Sequence, residues 1–454
     1  MKSEASGTYS LQPDTGMKRF VDPDSGWDPD TMGVNLHRFI AELYPICRSI
    51  TGEGARETLR LIGERIPLQI HEIPSGTVVF DWVVPKEWNI KDAYIKNSQG
   101  EKIVDFQKSN LHVISYSIPV HRKLSLGELK NHLFALPEHP DWIPYRTSYY
   151  KEDWGFCVTH NQLLALNDDE YEVCIDATLE PGNLSYGECY LKGQTSDEVL
   201  ITTHICHPSL CNDNLSGIAV TTQLAKLLRG FQLRYSYRFL FIPATIGSIT
   251  WLCQNESKLA NIKHGLVVTL MGDAGKSTYK KSRCGIAAID RAAAHVLKHS
   301  GTPYSIQEFH PYGYDERQFC SPGLNLPVGC LMRTPNGCFP EYHTSADNLS
   351  FVQPEYLADS FSKCVSIIYL LENNTKFLNK NPKCEPQLGK RGLYQTPGGA
   401  GAVAADTLSM LWVLNLSDGH HDLLEIAERA NLHFVKVKHA ADALLAADLL
   451  EPAQ

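Results

Sequence analysis

The spacing of hydrophobic and polar positions changes several times along the chain. Apolar residues recur at helical intervals over residues 36–46 and 55–66, which predicts a helical hairpin. Between residues 76 and 189 the apolar segments become short, β-branched and aromatic, with turn residues between them, and this predicts a β-rich inserted domain. Residues 1–33 are rich in Gly, Ser, Pro and Asp without an apolar period, so we expect a poorly ordered lead-in.

Strands and helices alternate from about residue 190 onward. The apolar segments VLITTH, YRFLFIP and GLVVTLMG have the length of strands, and the segments between them have the length and composition of helices. This alternation is typical of an α/β fold, here a three-layer αβα sandwich with a mostly parallel sheet. We expect this domain to comprise residues 34–75 and 190–378.

The tail of the chain has a different character. A stretch rich in Pro and Gly begins near residue 380, and helical segments follow it. Over residues 385–454 the order of helix, short turn and helix predicts a winged helix-turn-helix domain. Its presumed recognition helix has two lysines and a histidine, but Asp442 and Asp448 oppose them, so we do not expect nucleic-acid binding. Contact with a protein partner or a second copy of the chain is the favoured role.

Charge and cysteine content narrow the class of protein. A formal net charge of -9 disfavours a protein that coats nucleic acid or an anionic membrane. No apolar run approaches the ~18 residues of a membrane span, and the first residues lack the apolar core of a signal peptide. The 13 cysteines, an odd number without C-x-x-C pairs, are typical of reduced thiols. We therefore expect a cytoplasmic protein.

The densest group of candidate ligands is HICHPSLCNDNLSG, which follows the apolar strand VLITTH. Ligands of parallel sheets collect at the carboxyl ends of strands. His204 ends this strand and Asp213 follows nine residues later, and imidazole and carboxylate are suitable ligands for Zn²⁺. A buried histidine and a helix-capping aspartate are the alternative. His207 either binds the metal or orients a ligand.

Further acids and a late histidine follow other predicted strands or lie in loops. Asp273 comes directly after GLVVTLMG, and Asp315 and Glu316 lie in GYDERQF. Glu341 and His343, in EYHTSADN, are two residues apart, so an extended segment would direct both to one side, and a surface turn is the equally favoured alternative. Each of these acids alone is explained by solvent exposure, but their repeated occurrence near strand ends favours a metal site.

One polar segment of the predicted helical hairpin and one of the insertion are candidates for the substrate cleft. CRSITGEGAR, which contains Arg48, either forms a wall of the cleft or simply connects two helices. YRTSYYKEDWGF is aromatic with interleaved polar residues, as binding surfaces often are. The same residues are equally suited to burying the insertion against the main domain.

The motifs DNLSG and YHT resemble those of the co-catalytic zinc aminopeptidases of the bacterial leucyl aminopeptidase type. The resemblance covers about residues 35–75 and 190–375, and the chain looks closer still to a bacterial aminopeptidase-like branch with a β-rich insertion and a C-terminal winged helix. The resemblance implies that His204 binds one zinc ion of the family's pair, His343 binds the other, and the carboxylate of Asp213 bridges the two ions. Asp273 is the candidate for the remaining aspartate.

The chain departs from that family at two positions. In PATIGS, Ala244 and Thr245 replace the glutamate pair that supplies the general base and a zinc ligand, and Cys206 replaces the aspartate of His-x-Asp. We therefore expect one zinc ion rather than two. Glu341 and Glu316 are the carboxylates available as a general base, and Glu341 is favoured because it is close in sequence to the late histidine.

These observations predict a zinc-dependent hydrolase, most simply an aminopeptidase that acts on a small peptide or peptide-like amide through metal-activated water. The alternative is a non-catalytic metal- or ligand-binding regulatory protein that kept the aminopeptidase fold, and the replaced glutamate pair is its main support. A ligand-sensing transcription regulator is a third hypothesis, which rests on the tail alone and is opposed by the acidic charge.

Overall fold

The computed structural model describes residues 18–20, 27–393 and 405–453. Most of the predicted lead-in, residues 1–17 and 21–26, and part of the predicted linker, residues 394–404, lie outside the described residues. The first helix begins at Pro29, inside the expected lead-in, where the Asp28 carboxylate accepts a hydrogen bond from the Thr31 amide at 2.9 Å. An aspartate before a proline is a strong helix start, because it pairs an otherwise free amide of the first turn.

The strands of the described residues lie as follows in chain order. They are β1 (Lys18–Arg19), β2 (Gln69–Pro74), β3 (Val78–Val79), β4 (Trp82–Val83), β5 (Glu87–Lys96), β6 (Lys102–Asp105), β7 (Val120–Ser125), β8 (Leu133–Phe134), β9 (Phe156–Cys157), β10 (Glu170–Glu180), β11 (Asn183–Leu191), β12 (Glu198–His204), β13 (Phe231–Gln232), β14 (Ser236–Ile242), β15 (Ile262–Val268), β16 (Ser277–Lys280), β17 (Tyr304–Gln307), β18 (Val328–Met332), β19 (Lys376–Asn379), β20 (Asp418–Asp422) and β21 (Leu450–Pro452).

The α-helices lie between and around these strands. They are α1 (Pro29–Leu43), α2 (Glu53–Gly63), α3 (Leu126–Leu129), α4 (His160–Leu164), α5 (Gly217–Leu228), α6 (Ile246–Gln254), α7 (Ala288–His299), α8 (Glu316–Phe319), α9 (Pro354–Asn373), α10 (Ala405–Leu416), α11 (Leu423–Ala430) and α12 (Phe434–Ala446). Among the described residues, none of these helices is both long enough and apolar enough to cross a membrane.

Eight strands form the central sheet, in the order β17-β16-β18-β15-β12-β14-β11-β2. The four strands β18, β15, β12 and β14 run parallel, whereas β16 and β11 pair antiparallel with their neighbours β18 and β14. Every residue of β12, β14 and β18 is buried, because helices cover one face and helices with the insertion cover the other. The predicted α/β sandwich with a mostly parallel sheet is confirmed.

The β-rich insertion has its own sheet, in the order β6-β5-β10-β7, with antiparallel pairing throughout. Strand β11, which was expected to close the insertion, instead pairs with β14 and β2 in the central sheet. Trp88 of the insertion and Trp251 of α6 belong to one hydrophobic core. The insertion is therefore packed firmly against one face of the main sheet.

The tail forms a small domain of three strands, in the order β20-β19-β21, with helices α10 to α12. It begins with β19 at Lys376, nearer to α9 than the expected boundary at residue 385. Phe434 of α12 shares a core with Tyr369 of α9, and Arg291 of α7 pairs with Glu428 at 2.7 Å. The tail is thus docked on the main domain of its own chain.

Candidate metal centre

Two parts of the chain that are distant in the sequence bring ligands to the carboxyl edge of the central sheet. His204 is the last residue of β12, and Asp213 lies in an irregular turn that leads into α5. His343 lies in a turn with a left-handed backbone, φ 57°, so of the two alternatives for Glu341 to His343 the structure has the turn and not the extended segment. The alternation of an extended chain therefore does not relate these two side chains.

The carboxylate of Asp213 is the centre of the group. Its Oδ1 lies 2.9 Å from Nε2 of His204, and its Oδ2 lies 3.0 Å from Nε2 of His343. Nδ1 of His207 is 3.3 Å from the same Oδ2 and 3.0 Å from the backbone oxygen of Asp213. The side chains of His204 and Asp213 are fully buried, whereas that of His343 is 34% exposed, so the group opens to solvent on the side of His343.

The donor set fits a zinc ion. Bonds of ~2.0–2.1 Å to nitrogen and oxygen place the ligand atoms of a tetrahedral zinc about 3.3 Å apart, close to the separations observed here. His204, His207 and Asp213 each offer a ligand atom, and these atoms lie within 4.8 Å of one another. No lysine or arginine of the described chain pairs with Asp213. A fully buried carboxylate with three imidazoles around it and no cationic side chain of the described residues paired to it is well suited to a cation.

The protonation of the group also suits metal binding. Burial raises the pKa of Asp213, but His207, His204 and His343 outweigh it and hold that pKa well below its usual value. Burial lowers the pKa of His204 and of His343. Burial also opposes protonation of His207, but the charge of Asp213 raises its pKa overall. An ionised carboxylate beside two mainly neutral imidazoles is the form in which these side chains bind metals.

Backbone and side-chain hydrogen bonds hold this geometry. The buried carboxylate of Asp347 accepts from the amides of Asn212 at 2.6 Å and Asp213 at 2.9 Å, which fixes the turn. Nε of Arg48, which is fully buried, donates to the backbone oxygen of His207 at 2.8 Å. Arg48 therefore supports the metal centre through the backbone and does not line an open cleft.

Two tyrosines enclose the histidines. The ring of Tyr314 stacks on His204 with centroids 4.9 Å apart, and its hydroxyl lies 3.4 Å from Oδ1 of Asp213. Tyr145, from the aromatic segment of the insertion, meets the rings of His207 and His343 edge-on at 5.2 and 5.1 Å. Sequence reasoning missed Tyr314 and Asp347, although each lies within four residues of a residue that it singled out.

Asp273 and Glu316 have other partners. The carboxylate of Asp273 accepts hydrogen bonds from Asn212 Nδ2 at 3.0 Å and from the amides of Gly275 and Thr334 at 2.7 and 3.2 Å. Asp273 therefore connects three loops, and one of its partners, Asn212, is the residue before Asp213. Glu316 is buried and paired with Lys280 at 2.6 Å.

The candidate bases differ in their surroundings. Glu341 is half-buried on the turn that carries His343. Asp315 is fully buried, accepts a hydrogen bond from Ser248 of α6 at 2.8 Å, and has its other oxygen unpaired. Burial raises the pKa of Asp315 to about 7. Ser248 lies just beyond Ala244 and Thr245, so Asp315 is close to the place where the related enzymes have their glutamate pair.

Comparisons with known proteins agree with this architecture. Residues 37–374 match a family model described as a domain of unknown function, DUF4910, and residues 375–452 match a winged helix-turn-helix. A Clostridium acetobutylicum protein is 56% identical over 419 residues, covering 92% of this chain and 96% of its own. Its name gives it a provisional role in polysaccharide biosynthesis and an aminopeptidase-like domain.

Solved structures show the same similarity. The crystal structure of a provisionally named peptidase from Clostridium acetobutylicum has a TM-score of 0.89 at 54% identity, covering 93% of this chain and 97% of that one. A zinc aminopeptidase from Bacillus subtilis has a TM-score of 0.56 at 12% identity, covering 75% and 95%, which shows a shared fold. The chain therefore belongs to the DUF4910 family, and it combines the fold of the zinc aminopeptidases with a β-rich insertion and a C-terminal winged helix.

Proposed function

We propose that the protein is a zinc-dependent hydrolase of the aminopeptidase type, which cleaves a small peptide or a peptide-like amide. The observation that carries this proposal is the buried carboxylate of Asp213 with His204, His207 and His343 around it at the carboxyl edge of the sheet. The names of the similar structures, a peptidase and a zinc aminopeptidase, support it.

His204, His207 and Asp213 would hold the ion, with His343 on the side that is open to solvent. A zinc ion in such a site supplies Lewis acidity, which activates water and polarises a carbonyl. Asp213 provides the negative charge, and Tyr314 keeps water away from the buried side of His204. We propose one ion, because His204, His207 and Asp213 leave the fourth position of a zinc ion for water, and Thr245 replaces the glutamate that would serve a second ion.

We propose Glu341 as the general base. It is half-buried on the same turn as His343, whose side chain is 34% exposed, and a general base has to be close to the metal-bound water. Asp315 is the competing candidate, because a pKa near 7 suits proton transfer at neutral pH and it lies close to the position of the missing glutamates. Glu316 is disfavoured because Lys280 already neutralises it.

Variants of the two candidate bases test this assignment on protein with a measured zinc content. The substrates are a panel of aminoacyl reporters and short peptides, together with N-acyl amino sugars because of the name of the Clostridium relative. We expect Glu341→Gln to retain zinc and to lower kcat at least 100-fold, since a general base contributes about 10²–10⁴-fold. Glu138→Gln, an exposed position in the insertion, is the matched control. Loss of turnover in Asp315→Asn instead would move the role of base to Asp315.

A second candidate function is a metal-binding regulatory protein without turnover. Ala244 and Thr245, at the start of α6, have no carboxylate to act as base or ligand, and a winged helix is docked on the main domain. Zinc binding at one equivalent, with no hydrolysis across the whole panel, would favour this function over the enzyme.

A further inference from the structure

A pocket of about 250 Å³ lies between the β-rich insertion and the main domain. The insertion contributes three aromatic residues, Trp82, Tyr149 and Tyr150. The main domain contributes the start of α6, and Tyr314 and Arg317. The pocket therefore joins the two parts of the chain that enclose the metal centre.

Arg317, in α8, is the charged residue among those that line the pocket. Its Nε is buried and has no hydrogen-bond partner, and no described residue forms an ion pair with its guanidinium. Its charge lowers the pKa of Asp315, but burial of Asp315 outweighs it and the two side chains form no ion pair. By contrast, Arg238 is paired with Glu198 at 2.8 Å. A buried N–H without a partner is costly, so a ligand that supplies one is favoured.

The other walls of the pocket suit an anion next to an apolar group. The amide of Ile246, the first residue of the nine-residue helix α6, has no partner within the helix, whereas that of Gly247 donates to the backbone oxygen of Pro243 at 2.7 Å. The start of the helix carries a partial positive charge. Trp82 and Tyr150 are 45% and 53% exposed and meet edge-on with centroids 5.4 Å apart. Such aromatic faces bind rings and apolar side chains.

The pocket and the metal centre share their walls. Tyr314 lines the pocket, and the same ring stacks on His204. On the opposite wall, the hydroxyl of Tyr149 is 3.1 Å from that of Tyr145, whose ring meets His343. The pocket and the candidate metal ligands are thus separated by tyrosine side chains, with Tyr314 in contact with both.

We infer that this pocket binds an anionic group of the substrate, a carboxylate or a phosphate, with Arg317 as its specificity-determining residue. A planar or apolar group beside the anion packs on Trp82 and Tyr150. The guanidinium matches both oxyanions, because its N–H groups form a planar fork. As a substrate subsite the inference rests on the proposed hydrolase function. As an anion site it rests on the pocket and on Arg317 alone.

Calorimetric titration of the full chain with ligands that an aminopeptidase does not cleave tests the inference. N-acetylphenylalanine and its neutral amide probe a carboxylate, and phenyl phosphate and phenol probe a phosphate. We expect at least one anion to bind about tenfold tighter than its neutral partner, as a charged hydrogen bond allows. Arg317→Gln should abolish that preference, and Arg317→Lys should retain part of it. Arg283→Gln, at an exposed position, should leave it unchanged.

The identity of the preferred anion distinguishes the two sources, and either one supports the inference. Equal binding of anions and neutral partners by the wild type, or an unchanged preference in Arg317→Gln, would overturn it. The same samples are assayed for zinc and for hydrolysis. An anion preference that depends on Arg317, in a protein without zinc or turnover, would refute the proposed function and leave the anion site standing.

Discussion

Replacing Asp213 with asparagine is the sharpest test of the metal centre. The substitution preserves the shape of the side chain but removes the one negative charge among three imidazoles. The amide keeps one oxygen as an acceptor, so one of the contacts to His204 and His343, at 2.9 and 3.0 Å, survives without rearrangement. The variant should therefore fold, while its affinity for zinc falls steeply.

The substitution should have a small effect on folding and a large effect on the affinity for zinc. A hydrogen bond to a charged group contributes about 1.5–3 kcal/mol, so the loss of one lowers the free energy of unfolding of the metal-free protein by about 2 kcal/mol. Loss of a group that only orients a metal ligand lowers affinity ~10–100-fold. Removal of an anionic ligand should exceed that, at about 1000-fold, which corresponds to about 4 kcal/mol of binding free energy.

The assay is a zinc titration against a competing chelator, combined with thermal unfolding with and without zinc. The control is Asp448→Asn, which makes the same chemical change at a carboxylate whose side chain is 83% exposed in the tail. Wild type and control should gain stability on addition of zinc, and Asp213→Asn should not. An Asp213→Asn protein that binds zinc as tightly as the wild type would remove Asp213 from the ligand set and refute the reasoning.

Two further predictions concern the docking of the tail. Deletion of residues 375–454 should lower the unfolding temperature, because Phe434 and Tyr369 share one core, and an unchanged temperature in calorimetry would contradict this. Stability should also fall as the pH decreases from 6.5 towards 3. His295, which accepts a hydrogen bond from the Phe434 amide at 3.1 Å, has its pKa lowered from 6.5 to about 3 by burial and by neighbouring cations. The unfolded chain therefore takes up this proton first as the pH falls. His295→Gln should flatten the decline in the free energy of unfolding, and equal slopes in both proteins would exclude His295 as its cause.

Much of the fold is determined by the sequence itself. Parallel strands covered on both faces must be apolar throughout, so VLITTH and YRFLFIP indicate the central sheet without any knowledge of their neighbours. The short segments of the insertion alternate between apolar and polar residues, which indicates an antiparallel sheet with one buried and one solvent-facing side. Strand β10 has this alternating burial. His204 and Asp213 could be proposed together because only a strand end and a turn separate them.

Contacts between distant segments were decided by the tertiary structure. Asp213 and Asp347 are 134 residues apart, and nothing in the local sequence indicates that one orients the backbone of the other. The same holds for β11. Its sequence is compatible with the sheet of the insertion and with the central sheet, and only the structure shows that it pairs with β2 and β14 in the central sheet. Arg317 is the clearest case. A sequence shows that a residue is charged, but only the packing of the insertion against α6 shows that this side chain lines a pocket and forms no ion pair with the described residues.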